Sequence, residues 1–266
     1  MKEKREQGVN NARIAVIFFV FLAFVVGLSL IFKIIGVIGD GKFDSEKRFN
    51  LVIANKKDTE VMSFSSSKNL AIFRLNKNIN SLDTGRLLEI PIDGFIESKN
   101  LDLNQKVNSL FFKSALNYQH LKTNLTIIDL FKLYFSTMGV ADGDIITKKV
   151  GYQMEGAEID KILNRLVADE LIEKDNQTIQ VVNGTDIIGL GNRLARLITN
   201  MGGDVIIVAT SDSPKKKSVI SYMNNKTYTV KRLEKVLGYP AVQEDSNAIS
   251  DISIIIGEDS IKELPF

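Results

Sequence analysis

The chain has 266 residues, 44% apolar and 25% charged, enough for one or two packed domains and too apolar for wholesale disorder. Its 34 lysines and arginines against 32 acids give a formal charge of +2. Lys2, Lys4, Arg5 and Arg13, offset by Glu3 and Glu6, already account for it, so the remainder is neutral and offers no nucleic-acid surface.

With no cysteine, disulfides, thiolate nucleophiles and cysteine-based zinc sites are excluded. The single histidine, His120, sits where a helix is expected to end and reads as a surface or capping residue. Residues 14–32, "IAVIFFVFLAFVVGLSLIF", carry no charge and no polar face, and after Lys33 the apolar run resumes as "IIGVIG". A stretch of that length predicts a membrane-spanning helix over 14–38. The residues after Phe32 lack a small-x-small cleavage site, so the segment reads as an uncleaved anchor. The basic residues 1–13 then predict a cytoplasmic tail and an extracytoplasmic remainder.

Residues 39–48 read as a polar linker. Short apolar runs at 49–55, 60–66, 70–76 and 87–97 predict strands, the last bent or at an edge because of Pro91. Helices are expected over about 103–120 and 126–138, the second opened by Thr126 and Asp129 in capping-box spacing. Ile159, Ile162, Leu163, Leu166 and Val167 share one face of a further helix over 156–172. No basic recognition helix accompanies it, which argues against a winged-helix reading.

From Thr178 the pattern becomes strand, glycine-rich turn, helix, strand, then strand, helix and two strands, about eighty residues in all. The turn "NGTDIIGLGN" does not complete a dinucleotide fingerprint, because Leu194 stands where the third glycine is needed. Nor is Gly191 followed by Lys and Ser or Thr, as a P-loop requires. The turn reads as a corner and no nucleotide cofactor is expected.

The ordered set Asn183, Gly184, Gly189, Gly203, Val205, Asp251, Gly257 and Asp259 resembles the LytR C-terminal domain. That resemblance implies a membrane-anchored bacterial envelope protein, and this domain often follows a LytR-CpsA-Psr transferase domain. Residues 49–150 resemble a shortened, divergent form of that transferase, with "RFNLVIAN" and "KKDTEVMSF" matching its first strands. An active transferase would need arginines for a pyrophosphate and acids for magnesium. Only Arg74 and Arg86 lie between Phe49 and Val150, and Asp58 and Asp93 are the acids available for the metal.

The expected fold is therefore α/β (α+β): a transmembrane helix followed by two small mixed-sheet domains with helices packed on them. The domains are expected at 49–150 and 177–266, joined by a connecting helix over 151–176. The expected role is a non-catalytic binding or organising factor for cell-wall peptidoglycan or surface glycopolymer, or for another envelope protein, with no resident cofactor. The alternatives are a magnesium-dependent glycopolymer transferase and a membrane-tethered transcriptional regulator. Candidate ligand-facing residues are Asn183, Gly184, Thr185, Asp186, Gly189 and Gly191 in one loop, and Asp212 and Lys215 in another.

Overall fold

The computed structural model describes residues 16–29, 36, 39, 41–67, 69–163, 165–244 and 249–261. It divides into two units, residues 1–41 and 42–266. In the first, residues 16–29 form helix α1, whose large apolar side chains, Val16 to Val26 and Leu28, are exposed. Among the described residues no helix is long and apolar enough to cross a membrane. The fourteen residues of α1 cover only part of the span expected over 14–38, and most of the rest of that span lies outside the described residues.

The second unit contains two mixed sheets. The first has the order β5-β4-β1-β2-β3-β6. Its strands are β1 (Phe49–Ala54), β2 (Thr59–Phe64), β3 (Leu70–Leu75), β4 (Gly94–Glu97), β5 (Lys122–Thr123) and β6 (Ile145–Val150). β1, β2 and β3 form an antiparallel meander in which Phe49 lies opposite Phe64, and Thr59 opposite Leu75. β4 and β6 add in parallel at β1 and β3.

All of β1 and β2 is buried because both sheet faces are covered, which is why these strands read as continuous apolar runs rather than alternating ones. On one face Leu51, Ile53, Met62 and Ile72 pack with Leu110 and Phe111 of α3 (Val107–Leu116) and with Leu130 and Leu133 of α4 (Ile127–Met138). On the other face Val52, Val61 and Phe73 pack with Leu88 of α2 (Ser81–Leu88) and with Ile159 and Leu163 of α5 (Gly156–Leu163). Each such side chain contributes about 1.5–3 kcal/mol of burial free energy.

The second sheet has the order β10-β9-β11-β7-β8. Its strands are β7 (Thr178–Asn183), β8 (Asp204–Thr210), β9 (Val219–Tyr222), β10 (Ala241–Gln243) and β11 (Ile252–Ile256). β7 runs parallel to both β11 and β8, and β9 is antiparallel to β11. Here burial alternates along β7 and β11: Ile179, Val181, Ile252, Ile254 and Ile256 are buried, while Gln180, Val182 and Ile255 are half-exposed. The buried set packs with Leu194, Leu197 and Ile198 of α7 (Leu190–Asn200) and with Val230, Leu233 and Leu237 of α8 (Tyr228–Leu237). This sheet thus carries helices on one face, and its element order is the one expected from Thr178 onward.

Three expectations are corrected. The strand expected over 87–97 begins as helix: Asn80 caps α2 by accepting from the Asp83 amide, and only Gly94–Glu97 is extended. The helix expected over 156–172 is broken. Arg165 adopts a left-handed conformation with φ of 54°, and a separate helix, α6 (Glu170–Asp175), starts after Asp169. The helix expected over 103–120 is α3 alone, followed by a 3-10 turn, Tyr118–His120. The capping box at Thr126 and Asp129 forms as expected.

Candidate functional site

The two candidate loops meet at one end of the second sheet, where β7, β8 and β11 all finish. The Gly184 amide donates to the Ile256 carbonyl, and the Gly184 carbonyl accepts from the Lys215 amide at 2.7 Å. The Lys215 carbonyl in turn accepts from Glu258, bringing in a third loop, Gly257–Asp259. A Cβ on Gly184 would lie 2.7 Å from the Ile256 carbonyl oxygen, and one on Gly257 would lie 2.4 Å from the Lys217 carbonyl carbon. Any side chain at either position would force the three loops apart.

The polar side chains of the cluster are mostly occupied internally. Asn183 Oδ1 accepts from the Thr185 amide and hydroxyl, and Asn183 Nδ2 donates to the Ile187 carbonyl. Asp259 Oδ1 accepts from the Ser218 amide and hydroxyl, and Ser218 Oγ accepts from the Gly257 amide. Asn183, Gly184, Thr185 and Gly191 are buried. Gly191 is a packing glycine, since a Cβ there would touch Val208 at 3.2 Å, and Gly189 supplies a left-handed turn at the start of α7 with φ of 82°. Asp186, Asp212 and Lys215 stay exposed, together with Lys216, Lys217 and Glu258. Ile188 projects at the tip, 99% exposed. The cluster therefore offers an internally hydrogen-bonded base with a charged rim and one apolar tip.

The residues that carry the resemblance to the LytR C-terminal domain have structural duties here. Besides Asn183, Gly184, Gly257 and Asp259, Asp251 accepts from the amide and hydroxyl of Thr178 and fixes the start of β7. Gly203 permits the turn into β8, where a Cβ would lie 2.6 Å from Ile198.

Sequence reading missed a second feature, a groove of about 660 Å³ between α5, the turn at Arg165, α6, α7 and β8. Arg165, Glu173, Asn192 and Asn200 line it, beside the Asp160–Arg196 pair. Arg196 bonds both oxygens of Asp160 and also pairs with Glu89 at 3.0 Å. Burial lifts Glu89 above the usual carboxylate range against the pull of Arg196 and Arg193. Burial works against the charge of Arg196, yet Asp160 and Glu89 hold its pKa above the ordinary value.

The acids once available for magnesium do not converge. Asp58 lies in the turn after β1, whereas the Asp93 carboxylate accepts from the Asn50 amide near the start of the same strand. Asp93 is held by Arg232 of α8 through two hydrogen bonds of 2.6 and 2.9 Å, with both side chains 7% exposed. Arg232 also faces Asp169 at 3.9 Å, and the Tyr228 hydroxyl donates to Asp169 at 2.7 Å. Burial raises Asp169, partly opposed by that hydrogen bond. Burial and the same contact raise Tyr228. Asp93 thus joins the first sheet to the second. Among the described residues no group of three or more His, Cys, Asp or Glu is placed to hold a metal ion. The available signal was Arg232 itself, a cation in a helix whose neighbouring positions, Val230, Leu233 and Leu237, are core.

Residues 176–259 match the family described as LytR cell envelope-related transcriptional attenuator. This bears out the resemblance drawn from Asn183 to Asp259. No curated protein matches the chain. Among solved structures, the chain resembles one entitled as the transcriptional regulator yvhJ from Bacillus subtilis, at 12% identity and a TM-score of 0.32, over 40% of this chain and 83% of that one.

Proposed function

We propose that this chain is a single-pass, membrane-anchored cell-envelope protein whose exported unit binds or organises cell-wall or surface glycopolymer without catalysing a reaction. The observation that carries this reading is the LytR-type domain at 176–259, which relates the chain to the envelope. An anchor over 14–38 is supported by α1, an apolar helix with its large side chains exposed, which only an apolar surrounding would stabilise. The basic tail over 1–13 favours a cytoplasmic N-terminus and an extracytoplasmic remainder.

The non-catalytic part of the reading rests on side chains already engaged. A phosphoryl transferase needs cations and a metal-holding acid pair facing the substrate. Here Arg74 pairs with Glu60, and Asp93 is committed to Arg232. Arg48 is buried and donates to the Leu166 carbonyl. The loop cluster around Ile188 and the groove beside Arg196 are the surfaces offered to a polymer.

Purified residues 40–266 are expected to pellet with isolated cell walls, and to stay in solution once wall-linked glycopolymers are stripped. Failure to pellet under either condition would reject polymer binding and favour a protein partner. Release of polyprenyl phosphate or pyrophosphate in the presence of magnesium would instead establish the transferase.

A further inference from the structure

Helix α4 is apolar on two sides. Leu130 and Leu133 face the core and Phe131 packs against it part-buried, but Ile127, Phe135 and Met138 are exposed outside it. Phe135 is 65% exposed and Met138 57%. The neighbouring helix α3 extends the patch with Phe112 and Leu116, the latter 66% exposed. The rings form a continuous run, with centroids 5.3 Å apart for Phe112 and Tyr134 and 5.1 Å apart for Tyr134 and Phe135. Lys113 and Lys132 are exposed on the same two helices. A contiguous apolar patch of this kind is uncommon on a surface that faces only water.

The route of the chain indicates what covers it. Lys42 and Phe43 donate their backbone amides to the carboxylate of Asp129, in the first turn of α4, and Phe43 is buried beneath. The apolar run read as the anchor ends at Ile38, four residues before Lys42, a tether of at most about 14 Å. An anchor in the bilayer therefore keeps the Ile127 end of α4 within reach of the headgroups.

We propose that the outer face of α3 and α4 is an interfacial membrane-docking surface. Phe112, Leu116, Phe135 and Met138 enter the boundary between headgroups and acyl chains, and Lys113 and Lys132 meet anionic headgroups. The proposal rests on the anchor reading and adds an orientation to it. The exported unit lies against the bilayer on one defined face, leaving its other surfaces for the wall.

The chain contains no tryptophan, so Phe135→Trp introduces a single indole. Full-length protein with this change would be reconstituted into anionic vesicles whose acyl chains carry bromine. Its emission is expected to shift to the blue and to be strongly quenched, as for a ring about 5–10 Å into the boundary region. Ile188→Trp, on the loop cluster, is expected to keep its emission. Flotation scores incorporation separately. A chain that floats while the Phe135→Trp indole stays bright overturns the docking face alone, as does equal quenching of both indoles. A chain that does not float overturns the anchor reading, and the docking face with it.

Discussion

Replacing Arg232 by leucine is expected to lower the unfolding free energy of residues 42–266 by about 3–5 kcal/mol, measured by urea denaturation. The guanidinium is buried and bonds both oxygens of Asp93, and it also faces Asp169. Leucine fills part of the space but leaves two buried carboxylates without their cation. Burial opposes the charge on Arg232, yet Asp93 beside it holds its pKa above the ordinary value. Combining Arg232→Leu with Asp93→Asn is expected to cost clearly less than the sum of the two single changes, because the second removes a charge that the first orphaned. Strict additivity would mean that the Arg232–Asp93 pair does not help hold the two sheets together.

The same contact region explains why residues 42–266 behave as one unit. Asn200 donates to the carbonyls of Leu88 and Glu89, and Arg193 bonds Glu89 at 3.2 Å. Glu170 accepts from Ser66 and Ser67. These bonds join elements about a hundred residues apart, so a ligand held at the groove would also restrain the first sheet.

Asp129→Ala is the second large expected effect, about 3–4 kcal/mol. This carboxylate is fully buried and accepts from the amides of Lys42, Phe43 and Thr126 and from the Thr126 hydroxyl. Alanine orphans those donors and removes the cap of α4 together with the clip that holds the entering chain. Trypsin is then expected to cut rapidly at Lys42 and Lys47, both exposed, while the rest of the unit stays resistant. Asp129→Asn, which retains one acceptor oxygen, is expected to lose less. Unchanged protection at Lys42 in the alanine variant would show that Phe43 burial, not the carboxylate, secures the chain.

Much of the second sheet was legible because β7 and β11 are covered on one face only, so burial alternates with a period of two, and Gly184, Gly203 and Gly257 mark turns that exclude a Cβ. The first sheet was harder. Its strands are buried on both faces and lose that alternation, and β6 carries Lys148 and Lys149 exposed along its middle. The "LLEIPI" run reads as strand by composition, yet Leu87 and Leu88 end a helix whose cap, Asn80, lies well upstream of the run. The break at Arg165 was hidden because its cause is distant: Asp169 has to cap α6 and meet Tyr228 and Arg232 of α8.

For the candidate site, the two loops lie together at one end of the second sheet, but the sequence did not show which polar groups would be engaged and which exposed. Asn183 and Thr185 satisfy each other, whereas Asp186 and Lys215 remain exposed. The groove beside Arg196 draws on residues between 160 and 208 and has no local signature.

The account depends most on which side of the membrane the folded unit occupies. Because the chain has no cysteine, Ile188→Cys places one thiol at a position that is 99% exposed. A membrane-impermeant maleimide is expected to label this variant on intact cells. Labelling only after permeabilisation would place the unit in the cytoplasm, contradict the envelope reading and leave the membrane-tethered regulator as the better account.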